Sequence, residues 1–147
     1  MGSRGKALAE TRKDTIMVLL VAFCTDDGTN MINEHAGQAR YFDIYEFSDK
    51  GTEFLERSDN SKYKGDETIK HGDPKKAQAT MEALKRAHVL VNKMFGPNLP
   101  RLLKKLLCVV VRTDKITDAI DVLKKNWARV EEEYQKGESR KHLVLEP

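Results

Sequence analysis

Cysteine is scarce in this chain: there are two among 147 residues, Cys24 and Cys108, each inside an apolar stretch. No Cys-x-x-Cys occurs, which excludes a conventional cysteine-built iron–sulfur centre. The wide separation gives neither a disulfide framework nor a zinc-ligand spacing. A reducing cytoplasm is the expected compartment. Long apolar runs are missing as well. The longest covers residues 16–24, nine positions, whereas a membrane span needs about 20. That run ends without a small-residue cleavage site, so no signal peptide is expected. Charge of one sign is weak, since 26 Lys and Arg face 23 Asp and Glu for a net +3. Most of that excess falls in residues 1–14. The remaining body is near neutral and lacks the concentrated basic face of a duplex-binding protein. There is no Gly-rich P-loop, no G-x-G-x-x-G and no G-x-S-x-G, so nucleotide-cradling and α/β-hydrolase chemistries lack their usual residues.

What is present reads as one α/β domain over residues 15–136, between an N-terminal tail (1–14) and a C-terminal tail (137–147). Residues 15–24 are β-branched and aliphatic throughout, the pattern of a strand buried on both faces. Asp26-Asp27-Gly28 then signals a turn, and residues 25–40 form a long polar loop, a place where function concentrates. Residues 41–47 and 52–57 make two strands joined by a turn at 48–51, followed by a polar loop over 58–71. Asp73 is placed to cap a helix starting at Pro74, with Ala77, Met81 and Leu84 on its apolar face. A strand (88–94), a turn (95–98), a short helix (99–106) and a buried strand (107–112) follow. Ile116, Ile120, Leu123, Trp127, Val130 and Tyr134 then step as one amphipathic helix to about residue 137. The order β-β-β-α-β-α-β-α implies a mixed five-stranded sheet with helices packed on it. Binding in such sheets lies beyond the carboxyl ends of the strands. That gathers the 25–40 loop, residues 70–73 and the turn 94–98 around one crevice.

Several residues there carry chemistry, each with a plainer alternative. His35 is a metal or cluster ligand, or a loop-capping imidazole. Gly37 and Ala39 admit a close approach to the backbone, or accommodate a turn. Arg40 offers a fork to an anion, or is a solvated surface arginine. His71 and Gly72, beside a helix start, sit where anions are favoured, or form an ordinary capping turn. Cys24 is a soft metal ligand as a thiolate, or a small core residue, and Cys108 reads as core. Met94 is a soft ligand or a packing residue. Asp26, Asp27, Asp43 and Glu46 do not form a convincing hydrolytic set, because the first two read as a turn and the others fall on opposite strand faces. Arg101, Lys104 and Lys105 form a basic helix face without interleaved aromatics, which reads as solvated rather than as a nucleic-acid site.

Three separated motifs, in order, resemble one family. They are Val21-Ala22-Phe23-Cys24-Thr25-Asp26-Asp27-Gly28; Asn33-Glu34-His35-Ala36-Gly37-Gln38-Ala39-Arg40-Tyr41-Phe42; and His71-Gly72 with the later Val89-Leu90-Val91 and Phe95-Gly96-Pro97-Asn98. The chain is similar over roughly residues 15–125 to the dinitrogenase iron–molybdenum cofactor biosynthesis family, the NifX, NafY and NifB C-terminal-like group. The resemblance implies a ribonuclease-H-like fold and no catalytic activity. It implies binding, storage or transfer of an iron–molybdenum or related metal–sulfur cluster, with a metallocofactor-assembly or acceptor protein as partner. It also implies that His35 is the cluster ligand; the chemistry of the residues themselves adds Cys24 as a further candidate metal ligand and Gly37, Ala39, Arg40, His71 and Gly72 as candidates around the cofactor. Two positions depart from the family pattern: Ala36 replaces an aromatic, and Gln38 replaces an arginine whose charge would balance an anionic cluster. The departures motivate the alternative of a protein-interaction or regulatory module that no longer binds a cluster.

Overall fold

The computed structural model describes residues 17–60 and 74–147. The expected tail over 1–14, the Asp73 cap and the candidate site residues His71 and Gly72 lie outside the described residues. In chain order the elements are β1 (Leu19–Thr25), β2 (Tyr41–Ser48), β3 (Gly51–Asp59), α1 (Pro74–Ala83), β4 (Val89–Asn92), α2 (Leu99–Leu103), β5 (Leu107–Val111), α3 (Ile116–Lys125), α4 (Trp127–Tyr134) and β6 (Leu143–Leu145). The strands lie side by side in the order β3-β2-β1-β4-β5-β6. β2 is antiparallel to both of its neighbours, while β1, β4, β5 and β6 run parallel.

The unbroken apolar run of β1 follows from its central position, because a strand covered on both faces has no side to keep polar. Leu19, Val21 and Phe23 enter one core with Val89, Val91, Val109, Val111 and the inner faces of α3 and α4. Ala22 and Cys24 enter the opposite core with Leu90, Cys108, Leu84 and Leu102, under α1 and α2. Helices therefore cover both sheet faces, and aromatic pairs reinforce the first core. Phe23 meets Tyr45 edge-on at 5.4 Å, and Phe47 stacks on Trp127 at 4.9 Å, a geometry that adds roughly 0.5–1.5 kcal/mol per pair beyond area burial. His88, just before β4, accepts the Leu20 N–H on Nδ1 at 2.8 Å. Burial holds its pKa below the usual imidazole value, in keeping with a neutral acceptor.

Two expectations need correction. The helix expected to run from 116 to about 137 is two helices. Asn126 leaves helical geometry (φ −117°, ψ 22°), and its side-chain amide donates to the Val122 carbonyl at 2.9 Å. Asn competes for backbone acceptors in this way and so ends helices. The hydrophobic stripe continues across the break because Trp127, Val130 and Tyr134 still face the same core. The second correction concerns the sheet, which has six strands among the described residues rather than five. Residues 143–145 lie within the expected C-terminal tail, yet they pair in parallel with β5, matching Val109 with Leu143 and Val111 with Leu145. Polar residues 136–142 conceal the strand in the sequence, and tertiary contacts hold it. The buried Glu133 carboxylate accepts the Lys141 N–H and the Lys136 ammonium, both at 2.9 Å. The Arg140 guanidinium donates to the carbonyls of Tyr134 and Leu103 and lies over the Tyr134 ring.

The Lys141 N–H, with help from Lys136, holds the Glu133 carboxyl below the usual carboxylate range. A depressed carboxyl contributes stability that is complete above its unfolded value of about 4.3 and is lost as pH falls through its lower folded value. Glu133→Ala is expected to cost about 1–3 kcal/mol in urea denaturation at neutral pH, because it removes the charged acceptor of two part-buried hydrogen bonds. It should also speed amide exchange over residues 143–145. Unchanged exchange there would show that β6 is held by other contacts.

Candidate functional site

Both faces of the central strands are covered, so the accessible backbone lies where β1, β4 and β5 end. The 26–40 loop begins there as a tight turn. Thr25 Oγ1 accepts the Gly28 N–H at 2.9 Å and donates to the Asn30 carbonyl at 2.6 Å. The Asp27 carboxylate accepts the N–H groups of Thr29 and Asn30 at 2.9 and 2.8 Å. Gly28 takes φ +82°, a conformation that costs glycine nothing and other residues strain. The hydrogen bonds from Asn30 and Thr29 bring the Asp27 pKa down to about 2.

Beyond the turn the loop forms few regular ladders, so its backbone groups need other partners. The Met31 N–H donates to the Asp114 carbonyl at 2.7 Å, and the Arg40 N–H to Asp26 Oδ1 at 2.8 Å. Two asparagine side chains supply further partners. Asn60 donates to the carbonyls of Gly37 and Ala39 at 3.0 and 2.9 Å. Asn92, fully buried at the end of β4, donates to the carbonyls of Glu34 and Met94 at 2.9 and 3.0 Å. Neither asparagine stood out as functional in the sequence. The available signal was a polar residue closing the apolar run Val89-Leu90-Val91.

His35 precedes a 3₁₀ turn over Ala36–Gln38, and its carbonyl accepts the Gln38 N–H at 2.8 Å. Its ring rests directly on Gly96. A methyl group at that position would sit 2.5 Å from Nδ1 and 2.7 Å from Cγ, so only glycine leaves the imidazole its place. Half-buried His35 borders an open depression of about 390 Å³, with Asn33, Glu34, Gln38 and Met94 as the other lining residues. The expected meeting of the 25–40 loop with the 94–98 turn is thus realised here. His35 also borders a narrow cleft between the 3₁₀ turn, Lys76 and Thr80 of α1, and the turn over 95–98.

The other expected site residues are placed differently. Gly37 borders the narrow cleft. Ala39 is buried in the core beneath the loop. Arg40 is exposed on the Tyr41 side, its guanidinium 5.7 Å from that ring, and does not line the His35 depression. Cys24 is fully buried in the core under α1 and α2, and burial pushes its thiol well above the usual value, so the thiolate a metal needs is disfavoured. Lys93 forms an ion pair with Asp114 at 2.5 Å. A larger depression of about 710 Å³ lies alongside, lined by Asp26, Asp27, Asn30, Glu34, Asp114 and neighbours. Its carboxylates repel anions. The smaller depression is the better candidate for a soft ligand, because imidazole, thioether and amides line it with Glu34 as the one carboxylate among its described lining residues. Among the described residues no three His, Cys, Asp or Glu side chains converge to hold a metal ion, and no helix is long and apolar enough to cross a membrane.

Comparison with known proteins adds two findings. The family described as "Dinitrogenase iron-molybdenum cofactor" matches residues 17–129. The chain is also similar in fold to the crystal structure of a candidate dinitrogenase from Methanocaldococcus jannaschii, with 14% sequence identity, a TM-score of 0.55, and coverage of 75% of this chain and 91% of the other. No curated protein matches.

The Gly96 contact makes a direct prediction. Gly96→Ala is expected to displace the His35 ring while leaving the sheet intact, seen as shifted His35 ring resonances with unchanged far-ultraviolet circular dichroism. An unmoved ring would show that the turn, not the imidazole, gives way. Acid should loosen the start of the loop: the Asp27 contribution is complete above its unfolded pKa of about 3.9 and is lost as pH falls through about 2. Amide exchange of Thr29 and Asn30 across that window is the measurement.

Proposed function

Because the chain belongs to the dinitrogenase iron–molybdenum cofactor family, and so to the making or handling of that cofactor, we propose that it binds and passes on a metal–sulfur cluster without transforming it. The cluster is cargo, and the depression at the carboxyl ends of β1 and β4 is its berth. The observation that carries this reading is the seating of His35, held against Gly96 at the edge of an open depression of about 390 Å³. An imidazole backed by Gly96 at the border of an open depression is a ligand that needs little reorganisation on binding. A cargo site must also release, and a few donors in an open depression suit release better than a closed cage.

The reading extends to the fold and the surroundings. The order β3-β2-β1-β4-β5, with β2 alone antiparallel to its neighbours, supports a ribonuclease-H-like label, with β6 as an added edge strand. A cofactor-assembly or acceptor protein is the partner, and the reducing cytoplasm the setting, where Cys24 and Cys108 stay free. His35 is the cluster ligand, and Gly37 lines the narrow cleft that His35 also borders.

A second reading has its own support. Among the described residues no Lys or Arg lines the His35 depression, Gln38 stands where the family pattern has arginine, and Lys93 is engaged by Asp114. Those features fit an interaction or regulatory module that has lost the cluster.

Anaerobic titration with an iron–molybdenum or thiomolybdate-type cluster separates the two. Bound cluster is expected to co-elute with the protein as visible absorption, and His35→Ala is expected to weaken binding about tenfold or more. Equal binding by parent and variant would remove His35 as ligand. Absence of any bound cluster, with no stoichiometric molybdenum, iron or copper in anaerobically purified protein, would favour the interaction module.

A further inference from the structure

We propose that Met94 is a second donor beside His35, so that the depression between them takes a soft, thiophilic monovalent metal centre of the Cu(I) class; this rests on the cargo reading above. Met94 is 42% exposed although it follows a strand that is buried throughout. A packing role would bury the thioether, as it does for Met31 at 2%. Here instead the side chain borders the same depression as His35.

The two residues are set relative to one another by a single group. Nδ2 of the fully buried Asn92 donates to the Met94 carbonyl at 3.0 Å and to the Glu34 carbonyl, one residue before His35, at 2.9 Å. Asn92 therefore ties the two rims of the depression to the end of β4 and acts as a positioning residue. Gly96, two residues beyond Met94, backs the imidazole. Both donor residues thus have backbone supports that do not depend on the metal.

The donor chemistry then selects the metal. Imidazole and thioether are neutral and soft, and they prefer Cu(I)-like ions over Mg²⁺, Ca²⁺ or Mn²⁺, which favour oxygen donors. Among the described lining residues Glu34 carries the formal charge, and it is negative, which balances the charge of a bound Cu(I)-class centre. A thioether binds without losing a proton. Two protein donors leave positions on the metal for sulfide, or for a thiolate of the receiving protein, as hand-over requires.

The test uses Ag(I), a redox-inert ion of the same class, titrated into the full chain carrying methyl-labelled methionine. At stoichiometric Ag(I) the Met94 methyl and the His35 ring resonances are expected to move together, while the Met31 and Met81 methyls stay in place. This readout separates the site from the buried thiols of Cys24 and Cys108. Met94→Leu, which keeps the side-chain volume on an exposed position, is expected to weaken Ag(I) binding at His35 about tenfold or more, with Mn²⁺ failing to compete. A Met94 methyl that does not move, or a Met94→Leu protein that binds Ag(I) at His35 as tightly as the parent, overturns the inference. Cluster binding that needs His35 but ignores Met94→Leu also overturns it, and leaves the cargo reading standing.

Discussion

Burial of β1 on both faces is the constraint from which the rest of the arrangement follows. The strand sits between antiparallel β2 and parallel β4. Its alternating side chains feed two separate cores, each roofed by helices. A strand enclosed in this way, with Leu20 alone partly exposed, offers little to solvent along its length. Chemistry is left to the chain that emerges from its carboxyl end, where Thr25 turns the backbone through its hydroxyl. The same enclosure explains Cys24 and Cys108. Both face the core under α1 and α2, where an uncharged thiol is a good packing group and a thiolate is disfavoured.

The site-bearing loop depends on side chains that substitute for regular secondary structure. Asn60 and Asn92 each spend two amide protons on carbonyls of the loop or of the 94–98 turn. Their burial makes those bonds hard to exchange for water. Buried Met31, Ile32, Ala36 and Ala39 pin the underside of the loop to the core. His35 is therefore displayed from a fixed platform rather than from a wandering segment. Such rigidity matters for a ligand that must be ready before its cargo arrives.

Charge is distributed to the same end. The body is close to neutral, so no general field draws anions to it, and local placement decides. The acidic turn residues and Asp114 line the larger depression. Lys93 is held by Asp114, and Arg40 and Arg57 gather over Tyr41. The depression beside His35 is left with soft, mostly neutral groups. That separation distinguishes a berth for a soft metal centre from a trap for any anion.

Much of the fold was legible in the sequence. The apolar run of β1, the Asp26-Asp27-Gly28 turn, the hairpin over 48–51 and the stripe from Ile116 to Tyr134 each reflect short-range rules of burial, turn chemistry and helical period. The family motifs likewise singled out His35 from local pattern. Other features were not legible, because they depend on partners far along the chain. The strand at 143–145 exists because β5 offers an edge and Glu133 an acceptor, neither visible in residues 136–142. The break at Asn126 leaves the hydrophobic stripe intact and so hides within it. The juxtaposition of His35 with Met94, and the need for glycine at 96, come from Asn92 joining segments 58 residues apart. Sequence alone determined most of the strands and helices and which residue types were available for chemistry, since those follow from neighbours. Only the tertiary structure decided which of those residues share a surface and which are sealed in the core, since that depends on contacts between segments distant in the chain.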